Sequence, residues 1–108
     1  MNYQRLSNLE NGFIEMLKIE DVLSSRGTMK ILKILSDNEE MNITQISKKA
    51  MLNHKNTIIH LEKLIKANIV KERKYGKIRI FKINKDNEIS LKIIDLIKTW
   101  ERKYFFNM

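Results

Sequence analysis

The stretch MNITQISKKAMLNHKNTIIHLEKLIKANIV, Met41–Val70, carries two helical signals separated by three residues. Asn42 and Gln45 stand three apart, as a reciprocal capping box requires, so a helix of about two turns opens there and runs to Ala50. Ile43, Ile46 and Ala50 give that helix one apolar face. Met51-Leu52-Asn53 reads as a turn whose asparagine caps a second helix, from His54 to about Ala67. Asn68 tolerates the left-handed backbone that ends helices. A short helix, a tight turn and a longer helix together form a helix-turn-helix.

Downstream, Ile69 to Lys74 read as a strand, Tyr75-Gly76 as a two-residue turn, and Lys77 to Asn84 as the return strand. That register sets Glu72 opposite Arg79. Asp86-Asn87 then cap a last helix, from Glu88 to about Phe105. Upstream, Ser24-Ser25 cap a helix over 26–37 whose buried stripe is Met29, Ile31, Leu32, Ile34 and Leu35. Residues 36–40 are an acidic polar turn, and Met41-Asn42-Ile43 a short extended link. Apolar residues at three- and four-residue steps over 3–23, with a break at Asn11-Gly12, predict a helix from about Phe13 to Leu23. The order predicts a mainly α protein with a small β-hairpin wing, an α+β winged helix-turn-helix. Residues 1–25 form an N-terminal helical segment, 26–85 the binding domain, and 86–108 a C-terminal helix.

Charge singles out the same region. The chain of 108 residues carries a formal net charge of +8. Residues 41–85 hold twelve Lys/Arg against two acids, Glu62 and Glu72, whereas 1–40 hold five against seven and 86–108 four against four. A basic segment between near-neutral ones is the footprint of a phosphate-binding face.

The run Met41–Val70, with its turn–hydrophobic–cap step and its His60-Leu61-x-x-Leu64 pattern, resembles the core of the ArsR- and MarR-like winged-helix regulators. It looks most like their short archaeal relatives. The likeness covers about residues 20–85 and implies a transcription regulator that binds double-stranded DNA as a dimer formed through its terminal helices. Thiolate metal sensing, frequent in the ArsR group, needs cysteine, and this chain has none.

The second helix advances about 100° per residue. With Leu61 as origin, Thr57, Leu64, Ile65, Ile58 and His54 fall on the core side; Lys55, Asn56, Ile59, Lys63 and Lys66 fall opposite. Asn56 can pair with an adenine edge, Lys55 with guanine or phosphate, and Ile59 can meet a thymine methyl. Asn53 joins these three in the groove, with Lys63 nearer phosphate. His54 stays open between the core that its angle suggests and the outward position of a first helical turn. Lys48 and Lys49 end the preceding helix and can add phosphate contacts. Around the hairpin, Arg73, Lys74, Tyr75, Lys77 and Arg79 are candidates for the backbone or the minor groove.

The last helix carries more apolar surface than one small core can cover, which predicts a homodimer. Its candidate interface residues are Ile93, Ile97, Trp100 and Tyr104, with Phe13 and Leu17 from the N-terminal segment and Trp100 at the centre. Two-fold symmetry would then present two recognition helices one turn of DNA apart.

No catalytic constellation, glycine-rich phosphate loop, cofactor site or metal site is evident, so an enzyme is not expected. The first residues lack the apolar run of a signal peptide and no segment reaches membrane-spanning length, which predicts a cytoplasmic, nucleoid-associated protein. Two alternatives stand beside the specific regulator: a non-specific architectural DNA-binding protein, and a winged helix used for protein–protein contacts. The operator and any small-molecule effector are not encoded in these patterns.

Overall fold

The computed structural model describes residues 17–106. Its elements are α1 (Ile19–Leu23), α2 (Arg26–Asp37), β1 (Met41–Asn42), α3 (Ile43–Ala50), α4 (His54–Lys66), β2 (Val70–Tyr75), β3 (Ile78–Ile83) and α5 (Glu88–Glu101). A π-type turn over Arg102–Phe106 follows α5. The three strands form an antiparallel sheet in the order β1-β3-β2, so the extended link before α3 is a true edge strand, pairing Met41 with Phe81.

Local chemistry fixes each boundary. Ser25 caps α2 by accepting from the Thr28 amide at 3.2 Å. Asn42 Oδ1 accepts from the Gln45 amide while Gln45 Oε1 accepts from the Asn42 amide, both at 2.9 Å, which completes the expected capping box. Met51 ends α3 in the left-handed region at φ 57°, and Asn68 follows α4 at φ 62°. Asparagine was the foreseeable choice; an unbranched methionine at positive φ is uncommon, and its side chain pays no packing cost because it lies in solvent.

Two boundaries depart from the sequence reading. Of the expected helix over 13–23, the described residues start at Leu17: Leu17 and Lys18 are not helical, and the helix there opens at Ile19, where Asp21 Oδ2 accepts from the Lys18 amide and closes the first turn. Its earlier part, including Phe13, lies outside the described residues. The wing is also shifted in register. Tyr75 pairs with Ile78, so the two-residue turn is Gly76-Lys77 rather than Tyr75-Gly76, and Glu72 pairs with Phe81 rather than with Arg79. Gly76 occupies the first central position at φ +62°, the II′ pattern. The expected placement would have demanded positive φ of Tyr75, which glycine supplies without strain.

Phe81, Ile31, Leu32, Ile46, Leu61 and Leu64 are fully buried and join α2, α3, α4 and the sheet into one core. Helix α5 closes over it through Ile97 and through Ser90, whose hydroxyl donates to the Ile69 carbonyl. Lys98–Asp37 and Lys33–Glu101 ion pairs tie α5 to α2 along the surface. No helix among the described residues is long and apolar enough to cross a membrane.

Candidate nucleic-acid interface

Helix α4 is held from behind by apolar contact and by two polar links. Thr57, fully buried, donates to the Asn53 carbonyl at 2.8 Å and accepts from Ser47 of α3 at 3.0 Å. One turn on, His60 Nδ1 lies 3.2 Å from Thr28 Oγ1 of α2, and Ser25 Oγ donates to the same Thr28 oxygen at 2.9 Å. That donation directs the Thr28 proton towards His60 and so favours an imidazole unprotonated at Nδ1. Burial, with Lys63 nearby, holds the His60 pKa below its ordinary value. The ring also sits over Gly27, where a Cβ would come within 2.4 Å of Nε2. The sequence reading attached no packing role to Gly27 or His60, because nothing in periodicity reveals that a glycine on one helix makes room for a ring on another.

With its back so fixed, α4 presents the expected outer side. Lys55, Asn56 and Lys63 are exposed, and Ile59 is 47% exposed. Thr57, Leu61 and Leu64 are buried, with Ile58 and Ile65 half-buried beside them, as the rotation angles indicate. His54 resolves outward: it is exposed, since the first turn has no preceding turn packed against the core. Asn53 is exposed as well, but its Oδ1 is committed to the Asn56 amide at 2.7 Å, which leaves its amide nitrogen to face a partner. Lys48 and Lys49 are exposed in the last turn of α3.

On the wing, Arg73, Lys74, Tyr75 and Lys77 are exposed and Arg79 is half-buried. Arg79 differs in kind from the other four. Its guanidinium donates to both oxygens of Glu72, at 2.5 and 3.1 Å, and to Glu62 of α4 at 3.0 Å. The Glu72 pair is diagonal across the ladder, on the same face because the offset is two residues. Hydrogen bonding to Arg79 holds the Glu72 carboxyl below the usual carboxylate range.

One arginine therefore takes both acids of the basic segment. Lys71 and Lys85 pair with Asp86 and Glu39 from outside it. The remaining basic side chains of 41–85 have no ion-pair partner among the described residues. Glu62 stands within roughly 20° of Lys55 around the helix axis, so Arg79 attaches the wing to the margin of the lysine-bearing side of α4. Sequence reading missed Ile78, which is 55% exposed beside the wing turn. Its position followed from the register, and the register was misjudged.

The proposed dimer residues separate into distinct settings. Trp100 is 57% exposed and packs its ring against that of Tyr104, also exposed, with centroids 4.7 Å apart. Ile93 and Leu17 are half-buried against the core. Ile97 belongs to the core itself and is not offered to a partner: it lies about 40° round the helix from Ile93, on the side that faces α2 and the sheet. Ile89 and Leu96, left out of that set, are exposed beside Trp100. Among the described residues, no group of three or more His, Cys, Asp or Glu side chains is placed to hold a metal ion.

Residues 27–72 match the protein family described as bacterial regulatory protein, arsR family. No curated protein matches the sequence. Among solved structures, the fold is similar to the homodimeric winged helix-turn-helix DNA-binding domain of a possible ArsR-family regulator from Mycobacterium bovis. There the TM-score is 0.67 at 15% identity, over 100% of this chain and 94% of that one. HlyU from Vibrio cholerae gives 0.65 at 18% identity, over 96% of this chain and 98% of that one. The transcriptional repressor PagR of Bacillus anthracis gives 0.61 at 22% identity, over 89% and 99%. At these identities the structures establish a winged helix-turn-helix fold.

Proposed function

We propose that this protein, whose residues 27–72 match the model of the bacterial arsR regulatory family, is a sequence-specific, double-stranded DNA-binding transcription regulator that acts as a homodimer. Helix α4 enters the major groove with its N-terminal half, where helix-turn-helix proteins meet base edges. Asn56 and Lys55 read purine edges, Ile59 meets a thymine methyl, and Asn53 and His54 border the same groove. Lys63, Lys48 and Lys49 hold phosphates on either side. Arg73, Lys74, Tyr75 and Lys77 bring the wing to the adjoining backbone and minor groove. Arg79 serves chiefly to position the wing, since its guanidinium is already shared by two carboxylates.

The observation that carries this reading is the distribution of counter-charge. Glu62 and Glu72, the acids of residues 41–85, both turn to Arg79. The cations of the outer side of α4 and of the wing tip are thereby left for phosphate. A basic surface whose carboxylates are both taken up by a single arginine keeps its other cations under mutual repulsion and gains most from a polyanion.

The second subunit is expected on the exposed side of α5. Ile89, Leu96, Trp100 and Tyr104 form an apolar stripe next to the core face, and α1 adds Ile19 and Leu23. Such a stripe on a small protein marks an interaction surface. The M. bovis relative in the comparison is homodimeric. A regulator of this kind works at the nucleoid.

The test is a titration of duplex DNA selected from a random pool against unrelated duplex, at several salt concentrations. A specific regulator should show a specificity ratio of at least about 10³ and a steep salt dependence. Equal binding to all sequences would make the protein architectural. No salt-sensitive binding at all would make it a protein–protein module.

A further inference from the structure

The tip of the wing combines two features that a merely solvated hairpin end does not need. Tyr75 and Ile78 are direct cross-strand partners flanking the Gly76-Lys77 turn, and they remain 53% and 55% exposed. Arg73, Lys74 and Lys77 surround them, exposed and in no ion pair among the described residues. A cationic rim around an apolar centre suits a partner with anionic edges and a narrow, weakly polar interior. The minor groove of a duplex has phosphates along both edges and deoxyribose walls within.

Tyr75 is also prepared chemically. Arg73 Nη1 donates to Tyr75 Oη at 2.7 Å, and its guanidinium carbon lies 5.9 Å from the ring centroid. With that oxygen accepting from Arg73, the hydroxyl proton is directed outward as a donor. The floor of the minor groove at A·T pairs offers acceptors only, adenine N3 and thymine O2; guanine adds an amino donor there. Against the Tyr75 donor and the Ile78 side chain, that amino group would be buried without an acceptor, which is unfavourable. The Arg79 bridge to Glu62 fixes where the tip lies relative to α4.

We infer that the wing tip selects A·T base pairs beside the site held by α4, with Tyr75 and Ile78 responding to the absence of the guanine 2-amino group. This rests on the duplex-binding reading above and adds to it a sequence preference read by residues outside the recognition helix.

Three duplexes test it, each carrying the same selected site and differing only in flanks of A·T, G·C or inosine·C pairs. Inosine removes the 2-amino group while leaving the major-groove edge of guanine intact. Wild-type protein should bind the A·T and inosine flanks alike and the G·C flanks roughly tenfold more weakly. Tyr75→Ser with Ile78→Ser should bring all three affinities together. Inosine flanks that behave like G·C, or a preference that survives the double substitution, would overturn the inference. So would a double variant whose flank preference is intact while binding to anionic lipid vesicles is lost, since the tip would then serve a membrane. Failure of the wild type to bind any of the three removes the parent reading as well, and is thereby distinguishable.

Discussion

Glu62 Oε2 on α4 lies 3.0 Å from Arg79 Nη2 on the wing, and the same guanidinium grips Glu72 on the neighbouring strand. The two elements proposed to meet DNA are thus joined directly, by a side chain on neither of their tips. Replacing Arg79 with Met should leave the core intact but free the wing. Because the pairs are partly exposed, the loss of stability should stay near 1 kcal/mol. The larger effect is expected in DNA binding, weakened for all sequences. Calorimetry alongside a binding titration checks both; an unchanged affinity would remove Arg79 as a positioning residue.

The same pair makes an acid-stability prediction. The Glu72 carboxyl is held low by Arg79, so its unfolded form takes up protons first as pH falls. Its stabilising contribution is complete above the ordinary glutamate pKa and is lost as pH drops through the lower folded value. Between about pH 5 and pH 3, the Tm of the wild type should therefore fall more steeply than that of Arg79→Met. Parallel curves would mean that the ion pair contributes nothing.

Gly27 and His60 form a second test. A Cβ at Gly27 would lie 2.4 Å from His60 Nε2, so Gly27→Ala should cost about 1–3 kcal/mol by overpacking. His60→Ala should recover most of that loss in the double variant, as contacting sites that share one space do. If the double variant is as unstable as the sum of the singles, the contact is not the cause. His60 also titrates with a lowered pKa, so stability should decline as pH falls below about 6.5. His60→Gln should blunt that decline.

Trp100→Glu places a charge in the middle of the exposed α5 stripe. The wild type should sediment as a dimer and the variant as a monomer, with the monomer still folded because Trp100 is outside the core. A wild type that is already monomeric would end the dimer proposal.

At the wing, Arg73→Ala with Lys74→Ala should weaken binding to specific and random duplex alike, and lower the salt slope by about two. A slope that does not change would take these two side chains off the phosphates.

How far the sequence could be read varies with the range of the interactions involved. The capping pairs Ser25–Thr28, Asn42–Gln45 and Asn53–Asn56 are local, and each helix starts where they place it. The inward side of α4 was equally legible, because period and burial coincide. The hairpin was not: a shift of one residue in the turn alters every cross-strand partner, and Gly76 marks a two-residue turn without saying which central position it fills until the positive φ demanded of the first one is weighed. Ile78 was overlooked for that reason. Ile97 was misassigned because one helix carries two adjoining apolar faces, and spacing does not say which one meets the core. Contacts such as Gly27–His60 and Arg79–Glu62 depend on packing between distant segments, about which local pattern is silent.

The most direct measurement maps both elements on one bound duplex. The chain has no cysteine, so Lys63→Cys and Lys77→Cys can each carry a tethered iron chelate that cuts nearby DNA. Two cutting patterns are expected on the same side of the duplex, within roughly five base pairs of one another. Cutting from the helix position alone, or cuts on opposite sides of the DNA, would contradict a shared binding surface for α4 and the wing.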